Sequence, residues 1–233
     1  MASLTVENYV KTIFQITSSQ NGRPANTGQI ATALGVAPGT VTSMLKTLDA
    51  ARLATHKPYE GVSLSRAGKM LALRVLRRHR LIELFLMRSL GLSWDEVHDE
   101  AEHMEHAVSD LLVDRIDTFL GFPDVDPHGD PIPKIDGKSL LEPNELSSCL
   151  LAECEDGYGF CLSRVLDQSP AFLKYLTESG LTLGVCGVVE RNPDGAGLMR
   201  IKINRKSKSN VVLAIAIETA SKLVVKESSI KKG

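Results

Sequence analysis

The sequence predicts a mainly α-helical N-terminal part followed by a small β-barrel. Three observations lead to this fold class. Apolar residues recur at helical spacing as far as about residue 120, and short β-like runs dominate from about residue 149 onward. Between them, residues 121–137 are too rich in Pro, Gly and Asp for regular structure, which predicts a linker at the end of the helical part. With 233 residues and 43% apolar content, the chain can bury a core of ordinary size.

The first three predicted helices contain a helix-turn-helix. Apolar periodicity places the first helix over about residues 5–17, and the second begins near Thr27. Ala31 is small enough for a close helix crossing, Gly35 allows a left-handed turn, and Val41 packs the third helix onto the second. This pattern is moderately specific, because other helical hairpins share it.

A short β-hairpin is predicted directly after the third helix, because the runs "LATHK" and "VSL" flank the turn "PYEG". Such a hairpin forms the wing of a winged helix-turn-helix. Residues 23–90, which include this motif, carry eleven Lys or Arg against three Asp or Glu. A winged helix within a basic segment predicts nucleic-acid binding.

Two longer helices are predicted after the wing. Ser65 fits the N-cap of a helix that reaches about Leu90, and a further helix covers about residues 93–120. The basic run "RVLRRHR" in the first of them either contacts phosphates or forms a solvated face. Residues 91–130, by contrast, carry one Arg against twelve Asp or Glu, which indicates a second role directed at cations.

The stretch "HDEAEHMEH", residues 98–106, contains three of the six histidines and four carboxylates. On a helix, four of these side chains share a face about 100° wide, namely His98, Glu102, Glu105 and His106. On the preceding helix His79 and Glu83 lie one turn apart, and a short connection makes the two helices antiparallel neighbours. Carboxylates and imidazoles form a ligand set for a divalent first-row metal, and the alternative is an acidic exposed face with incidental histidines.

No catalytic site is predicted. His103 and His106 are three residues apart and Met104 follows His103, which does not fit the motif H-E-x-x-H, and no G-x-S-x-G motif occurs. The four cysteines lack C-x-x-C spacing and are expected to be small buried thiols. Because neither a signal peptide nor a long apolar run is found, a cytoplasmic protein is expected.

Five segments carry a family resemblance, and they read "ENYVKTIF", "GVAPGTVTSMLKTLDAARL", "RRHRLIELFL", "VHDEAEHMEHAVSD" and "DPHGDPIP". Through them the chain resembles the diphtheria-toxin-repressor family of iron- and manganese-dependent transcriptional regulators over nearly its whole length. The resemblance implies a homodimer that binds double-stranded operator DNA. It also implies four parts of the chain, namely a winged helix-turn-helix DNA-binding domain over 1–64, a helical metal-binding and dimerisation domain over 65–140, a linker over 141–148 and a small Src-homology-3-like β-barrel domain over 149–233.

The resemblance further implies two metal sites per subunit. The primary site would comprise Asn8, Glu102, Glu105 and His106. The ancillary site would comprise His79, Glu83 and His98, with Asp167 or Gln168 from the C-terminal domain as a further ligand.

Three positions depart from the family pattern and bear on the choice of metal. Glu102 stands where iron-sensing relatives have a cysteine, so the primary ligands are all oxygen or nitrogen, which favours Mn(II). Asn8 stands where Asp or Met is usual, and it supplies a neutral carbonyl ligand. Lys11 stands where manganese-sensing relatives with a tight binuclear centre have Glu, which favours two separated sites.

The recognition helix is expected to begin near Pro38 and to carry small side chains, which are poor at reading bases through paired hydrogen bonds. We therefore expect contacts with thymine methyl groups and phosphates, together with a share of shape readout. The candidates near the helix N-terminus are Ala37, Pro38, Gly39, Thr40, Thr42 and Ser43. Phosphate contacts are expected from Lys46, Arg52 and the wing residue Lys57, with simple solvation as the alternative for Lys46.

These inferences favour a Mn(II)-activated DNA-binding regulator, most simply a repressor of metal-ion uptake genes. A metal shared by the first helix and the helix that contains Glu102 would fix the angle between the DNA-binding domain and the dimer, and so the spacing of the recognition helices. The alternatives are an Fe(II)-responsive regulator of the same family, a winged-helix regulator that senses an organic effector, and a metal-binding enzyme or store.

Overall fold

The computed structural model describes residues 3–57, 60–135, 148–190, 197–204 and 211–228. This part of the chain confirms the predicted fold class, with helices first and an antiparallel sheet at the C-terminal end. The linker predicted over 141–148 lies outside the described residues, apart from Ser148. None of the described helices is long and apolar enough to cross a membrane.

The N-terminal domain is the winged helix-turn-helix that the sequence predicts. Its elements are helices α1 (Leu4–Ser19), α2 (Thr27–Leu34) and α3 (Pro38–Ala50) and the antiparallel strands β1 (Ala54–Lys57) and β2 (Gly61–Leu64). Asn26 starts α2 with a capping box, in which its side chain accepts a hydrogen bond from Gln29 N at 2.8 Å. Gly35 ends α2 at a φ of 63°, a left-handed conformation that suits glycine. One buried cluster holds these elements together, and its fully enclosed members include Val10, Ile13, Ile30, Val41 and Leu45.

A second helical region is built around α4 (Arg66–Phe85), which a π-helical turn over Leu86–Leu90 extends. Two separate helices, α5 (Val97–Met104) and α6 (Asp110–Leu120), pack against α4. The single helix predicted over 93–120 is therefore wrong. The carbonyl of Glu105 accepts a hydrogen bond from Arg78 Nη1 at 2.9 Å, and Ser109 starts α6 as a new N-cap. His106 therefore follows the end of α5 and does not lie on its surface.

Two arginines of the basic run on α4 are buried, so they form neither the phosphate-contacting face nor the solvated face that the sequence suggested. Arg77 Nη2 lies 2.6 Å from Asp117 on α6, and Arg77 Nη1 donates to the carbonyl of Pro133 at 2.8 Å. Arg78 Nη2 lies 3.2 Å from Asp110. Such partners are needed because an unpaired charge is costly inside a protein. The two guanidinium groups thus hold α4 against α6 and the segment after it.

The described part of the C-terminal domain forms a six-stranded antiparallel sheet in the order β3-β8-β4-β5-β6-β7. Its elements are strands β3 (Ser148–Leu150), β4 (Gly159–Val165), β5 (Cys186–Val189), β6 (Leu198–Ile203), β7 (Val211–Ala216) and β8 (Leu223–Glu227), with helices α7 (Pro170–Ser179) and α8 (Ile217–Ala220). Trp94, which precedes α5, packs into the core of this domain, and its Nε1 donates to Thr177 Oγ1 at 2.9 Å. The sheet domain is thereby joined to the helical region.

Two of the four cysteines form a disulfide, so the expectation of thiols is wrong for them. Cys161 and Cys186 face each other on the neighbouring antiparallel strands β4 and β5 and are bonded. Their pairing depends on the register of two strands that are separate in the sequence, and cysteine spacing carries no information about it. Cys149 and Cys154 are free, with their sulfur atoms 3.2 Å apart.

The segment 121–135 is irregular, as predicted, but it is packed between the helical region and the sheet. His128 is buried, and its carbonyl accepts a hydrogen bond from Val165 N on β4 at 2.9 Å. Asp130 lies 3.1 Å from Arg80 on α4. This segment therefore holds the sheet domain against α4.

Candidate metal centre

The four predicted ligands of the primary site come from two separate parts of the fold. Asn8 lies on α1, Glu102 lies on α5, and Glu105 and His106 follow the end of α5. Glu105 is completely buried, and His106 Nε2 lies 3.2 Å from its Oε1. Among the described residues, Asn8 Oδ1 and His106 Nε2 are two of the buried polar atoms without a hydrogen-bond partner. Because a buried polar atom is normally paired, both atoms fit the role of ligands for a cation.

Glu7 orients His106 within this centre. Its Oε2 lies 2.9 Å from His106 Nδ1 and accepts a hydrogen bond from Nδ1–H, while His106 Nε2 faces Glu105 Oε1 at 3.2 Å. Metal-binding histidines commonly use their second nitrogen in this way. Sequence reasoning missed Glu7, although it is the neighbour of Asn8 on the predicted first helix.

Lys11 lies among the same carboxylates, one helical turn after Asn8. Its Nζ donates to Glu102 Oε1 at 2.6 Å and to both carboxylate oxygens of Glu105 at 3.0 Å. Burial by itself would raise the pKa of Glu105, but the hydrogen bond with His79 and the charge of Lys11 hold that pKa below its usual value. Glu105 is therefore ionised, and an ammonium group balances its charge.

The predicted ancillary ligands of the helical region also lie together. His79 Nε2 lies 2.9 Å from Glu83 Oε1 and 3.2 Å from His98 Nδ1. His79 Nδ1 lies 2.7 Å from Glu105 Oε2, so this one ring contacts both groups of predicted ligands. Burial alone would lower the pKa of His79, but its hydrogen bonds with Glu105 and Glu83 outweigh burial and raise the pKa to about 9. The ring must therefore lose a proton before it can bind a metal.

A further group of ligand atoms, which sequence reasoning missed, shares Glu83 with the ancillary set. It contains Glu83, Asp126 and His128, whose ligand atoms lie within 4.8 Å of one another. His128 Nε2 donates to the carbonyl of Trp94 at 2.8 Å, while its buried Nδ1 has no hydrogen-bond partner and lies 3.9 Å from Glu83 Oε2. Burial raises the pKa of Asp126 to about 8. The signal was the histidine in "DPHGDPIP", but the composition of that segment indicated only a linker.

The structure brings neither of the predicted C-terminal ligands into these groups. Asp167 Oδ2 lies 3.1 Å from Lys222 Nζ, and Asp167 Oδ1 accepts a hydrogen bond from Ser169 N at 3.0 Å. Gln168 Nε2 donates to Asp130 Oδ2 at 3.0 Å. Both side chains have partners elsewhere, so these contacts do not support Asp167 or Gln168 as ancillary ligands.

The predicted DNA-contacting residues are all exposed, and they are Ala37, Pro38, Gly39, Thr40, Thr42, Ser43, Lys46, Arg52 and Lys57. Most of them belong to α3 or cap it, and Lys57 ends strand β1 of the wing. Lys57 Nζ lies 3.1 Å from Glu60, and both side chains of this pair are exposed. These positions are accessible to a DNA backbone, and their contacts with DNA remain a prediction.

Two family matches cover the helical part of the chain. Residues 1–62 match the family described as iron dependent repressor, N-terminal DNA binding domain, and residues 65–134 match the family described as iron dependent repressor, metal binding and dimerisation domain. The HTH-type transcriptional regulator MntR of Bacillus pumilus is 32% identical over 122 residues, which make up 52% of this chain and 83% of that protein. The iron-dependent repressor IdeR of Mycobacterium tuberculosis is 33% identical over 129 residues, which make up 55% of each protein.

Solved structures extend the similarity to the C-terminal domain. A manganese-dependent transcriptional repressor in complex with manganese is 34% identical with a TM-score of 0.81, and the match covers 96% of this chain and 100% of that chain. ScaR with bound Zn²⁺ is 30% identical with a TM-score of 0.75, and that match covers 96% of this chain and 99% of the other. The winged helix, the clustered ligand atoms and these matches all indicate the same family. The chain therefore belongs to the iron-dependent repressor family of metal-dependent, DNA-binding transcriptional regulators.

Proposed function

We propose that the chain is a Mn(II)-activated repressor of metal-ion uptake genes, which works as a cytoplasmic homodimer on double-stranded operator DNA and has no enzymatic activity. The observation that carries the proposal concerns Asn8 and His106. Asn8 belongs to the winged-helix domain and His106 belongs to the helical region. Each contributes a buried ligand atom that has no hydrogen-bond partner among the described residues.

A divalent ion held by Asn8, Glu102, Glu105 and His106 would add a second positive link between α1 and the end of α5, beside the ion pairs that Lys11 already makes there. Glu7 holds the ring of His106 in the orientation that this ligand set needs. Because α1 belongs to the winged-helix domain, a fixed contact between α1 and α5 sets the separation of the recognition helices in a dimer, which has to match half-sites about 34 Å apart. Coupling of about 1–3 kcal/mol, common in allostery, changes operator affinity by roughly 5- to 150-fold.

The primary ligand set supports Mn(II) over softer ions. Its atoms are oxygen and nitrogen only, and carboxylate and carbonyl oxygens suit Mn(II). The Irving–Williams order runs against Mn(II), so selectivity would depend on geometry and on the supply of metals in the cell. Fe(II) is the second candidate, since the iron-dependent repressor IdeR of Mycobacterium tuberculosis is 33% identical over the matched residues.

We infer an ancillary site centred on Glu83, which belongs to both remaining groups of ligand atoms. Asp126 already accepts hydrogen bonds from His128 N and Asp130 N and lies 3.4 Å from Arg80 Nε, but His128 completes this site better than His79 does. The reason is that His128 Nδ1 is buried without a hydrogen-bond partner, whereas His79 already contacts two carboxylates. The set predicted from the resemblance, with His79, Glu83 and His98, is the alternative.

Exposed apolar side chains on and after α6 support the homodimer. Leu111 and Phe119 are 68% and 69% exposed, and Leu112 and Phe122 are also exposed. Several large apolar side chains exposed together are typical of a protein interface, because water solvates them poorly. A second copy of the chain, packed through α6, would cover them.

Fluorescence anisotropy with a labelled promoter fragment of a metal-uptake gene tests the proposal. We expect the wild-type protein to bind tightly with Mn(II) and to dissociate when a chelator is added. We expect His106→Ala to lose the response to Mn(II) while circular dichroism shows unchanged helical content. His103→Ala is the matched control, because His103 lies in the same stretch but is exposed, and it should keep the full response.

Two outcomes would contradict this account. A wild-type protein whose DNA binding is indifferent to Mn(II) and to chelator would refute the proposed function. A His106→Ala protein that responds as the wild type does would refute the assignment of the primary site.

A further inference from the structure

The sheet domain holds two free thiols in contact with each other. The sulfur atoms of Cys149 and Cys154 lie 3.2 Å apart, and both side chains are partly exposed. Two thiols must be brought together before they can form a disulfide, and here the fold already does so. The pair lies outside the groups of metal ligands described above, and the proposed function does not use it.

The backbone on both sides of this thiol pair is fixed. Cys149 lies on strand β3 and is paired with Val225 on β8. A 3₁₀ turn over Leu151–Glu153 follows, and Cys154 N closes it with a hydrogen bond to the carbonyl of Leu151 at 3.2 Å. Leu151 is 1% exposed and anchors the turn in the core of the domain. Main-chain contacts therefore hold the two thiols close to each other.

The surroundings of the two thiols differ. Cys154 Sγ lies 3.4 Å from the carbonyl oxygen of Leu150, and burial, together with the hydrogen bond to Cys149, raises the pKa of Cys154 to about 12. Cys149 Sγ lies 3.8 Å from the hydroxyl group of Tyr158. Burial raises the pKa of Tyr158 to about 12, so its hydroxyl keeps its proton and can donate a hydrogen bond to a thiolate. Because the thiolate is the nucleophile in thiol oxidation, these contacts make Cys149 the attacking residue and Cys154 the residue that completes the bond.

Metal binding is the alternative role of two adjacent thiols. Zinc sites in proteins use three or four protein ligands. Among the described residues, no histidine, aspartate or glutamate joins Cys149 and Cys154 in a group of three ligand atoms. The other two cysteines, Cys161 and Cys186, are bonded to each other. These observations favour oxidation over metal binding at this pair.

We propose that Cys149 and Cys154 are a site of reversible oxidation, at which a hydroperoxide converts the two thiols into a disulfide. The thiolate of Cys149 attacks one oxygen of hydrogen peroxide, so that the O–O bond breaks, the other oxygen leaves as water after protonation, and a sulfenic acid remains. The sulfur of Cys154 then attacks the sulfenic sulfur, and the S–S bond forms while the thiol proton and the sulfenic hydroxyl leave as water. Overall, two thiols lose two electrons and two protons, and hydrogen peroxide is reduced to two molecules of water.

The new bond would close residues 149–154 into a ring that contains the 3₁₀ turn. Strand β3 lies at one edge of the described sheet, so the bridge would lock this edge strand to the turn, and reduction would release it. In a reducing compartment such a bridge persists only while an oxidant is present. The inference goes beyond the proposed function, because it adds a response to oxidants that needs no metal ion.

The test uses the full-length wild-type protein and hydrogen peroxide. After exposure, the remaining thiols are blocked with iodoacetamide, and a glutamate-specific protease cuts the unreduced protein for mass spectrometry. Cleavage after Glu153 separates Cys149 from Cys154, so the two stay in one species only if a disulfide joins them. We expect both cysteines to be fully alkylated before exposure, to be linked and unalkylated after it, and to regain alkylation when a reductant is added.

Two variants are matched controls, since each keeps one thiol of the pair. After the same exposure, neither Cys149→Ser nor Cys154→Ser should give linked fragments. In Cys154→Ser the sulfenic acid of Cys149 has no thiol to react with, so dimedone should label it, whereas the wild type should take up little dimedone. Cys161 and Cys186 serve as an internal standard, because they should stay bonded to each other throughout.

Full alkylation of Cys149 and Cys154, after an exposure that oxidises free cysteine completely, would overturn the inference. A bridge from either residue to Cys161 or Cys186 would overturn it as well, and so would a sulfinic acid at Cys149 without a bridge. All three results come from the wild-type protein, so a serine variant that does not fold leaves the inference open to refutation. None of them depends on Mn(II), so they are distinct from a failure of the proposed metal-dependent DNA binding.

Discussion

Gly129 packs the irregular segment after α6 directly onto strand β4. Its φ is +86°, and a Cβ atom at this position would lie 2.1 Å from the carbonyl oxygen of Ser163 and 2.8 Å from the Cα of Arg164. Both atoms belong to the backbone, so no side-chain rotation can relieve the overlap. We therefore expect Gly129→Ala to loosen the contact between the sheet domain and the helical region.

The cost of Gly129→Ala has two parts. The left-handed backbone costs a residue with a Cβ about 1–2 kcal/mol, and a methyl group in filled space costs about 1–3 kcal/mol more. The free energy of unfolding should therefore fall by about 2–5 kcal/mol. Gly121→Ala is the matched control, since its φ is +77° but a Cβ there meets no atom within 4 Å. The free energy of unfolding of Gly121→Ala should fall only by the cost of the left-handed backbone, about 1–2 kcal/mol.

Trp94 reports on this contact. It is the only tryptophan of the chain, and it is buried in the core of the sheet domain. Urea denaturation followed by tryptophan fluorescence gives the free energy of unfolding of each variant. In native buffer, we expect the emission of Gly129→Ala to shift to longer wavelength as water reaches the indole, and that of Gly121→Ala to stay unchanged. Equal losses of unfolding free energy in the two variants, with unchanged emission, would refute the reasoning.

Arg77→Ala leaves the buried carboxylate of Asp117 without its partner and should lower the free energy of unfolding by about 3–5 kcal/mol. Lys134→Ala breaks an exposed pair and should change the free energy of unfolding by at most about 1 kcal/mol. Urea titrations that give similar losses for Arg77→Ala and Lys134→Ala would contradict the burial of the Arg77–Asp117 pair. Glu102→Cys should move the order of metal affinities, measured by competition titration, from Mn(II) towards Zn(II) or Fe(II), and an unchanged order would mean that position 102 does not set selectivity. Asp126→Asn should remove the ancillary ion in a metal analysis. Because burial raises the pKa of Asp126 from 3.8 to about 8, its carboxyl is protonated in the folded protein at neutral pH but ionised in the unfolded chain, which costs stability. The neutral amide should therefore raise the free energy of unfolding in chelator at pH 7, with a gain that shrinks as the pH falls towards 3.8, and a loss at pH 7 would show an ionised Asp126 in the folded protein.

Boundaries in the N-terminal domain could be predicted because their signals are local. The predicted starts near Thr27 and Pro38 agree with α2 and α3, since a capping residue or a proline acts on the turn beside it. The ligand residues at 79, 83, 98, 102 and 105 could be proposed because helical spacing and the family resemblance agree. Strand β3 has only three residues, a run too short for alternation to be recognised in the sequence.

Features that depend on contacts between distant residues could not be predicted. The sequence over 93–120 contains no Pro or Gly, yet the helix breaks where Arg78 takes the carbonyl of Glu105. Asp126 and His128 become candidate ligands because their segment folds back towards Glu83, and its Pro-rich composition gives no sign of this. In each case the deciding partner lies many residues away in the chain.

The ring of His79 connects the two halves of the metal centre. One of its nitrogens contacts Glu105 and the other contacts Glu83. Since both nitrogens belong to one rigid ring, His79 cannot turn towards a cation beside Glu105 without changing its contact with Glu83. The two groups of candidate ligands are therefore joined through this one side chain, and a substitution at position 79 should alter metal binding at both.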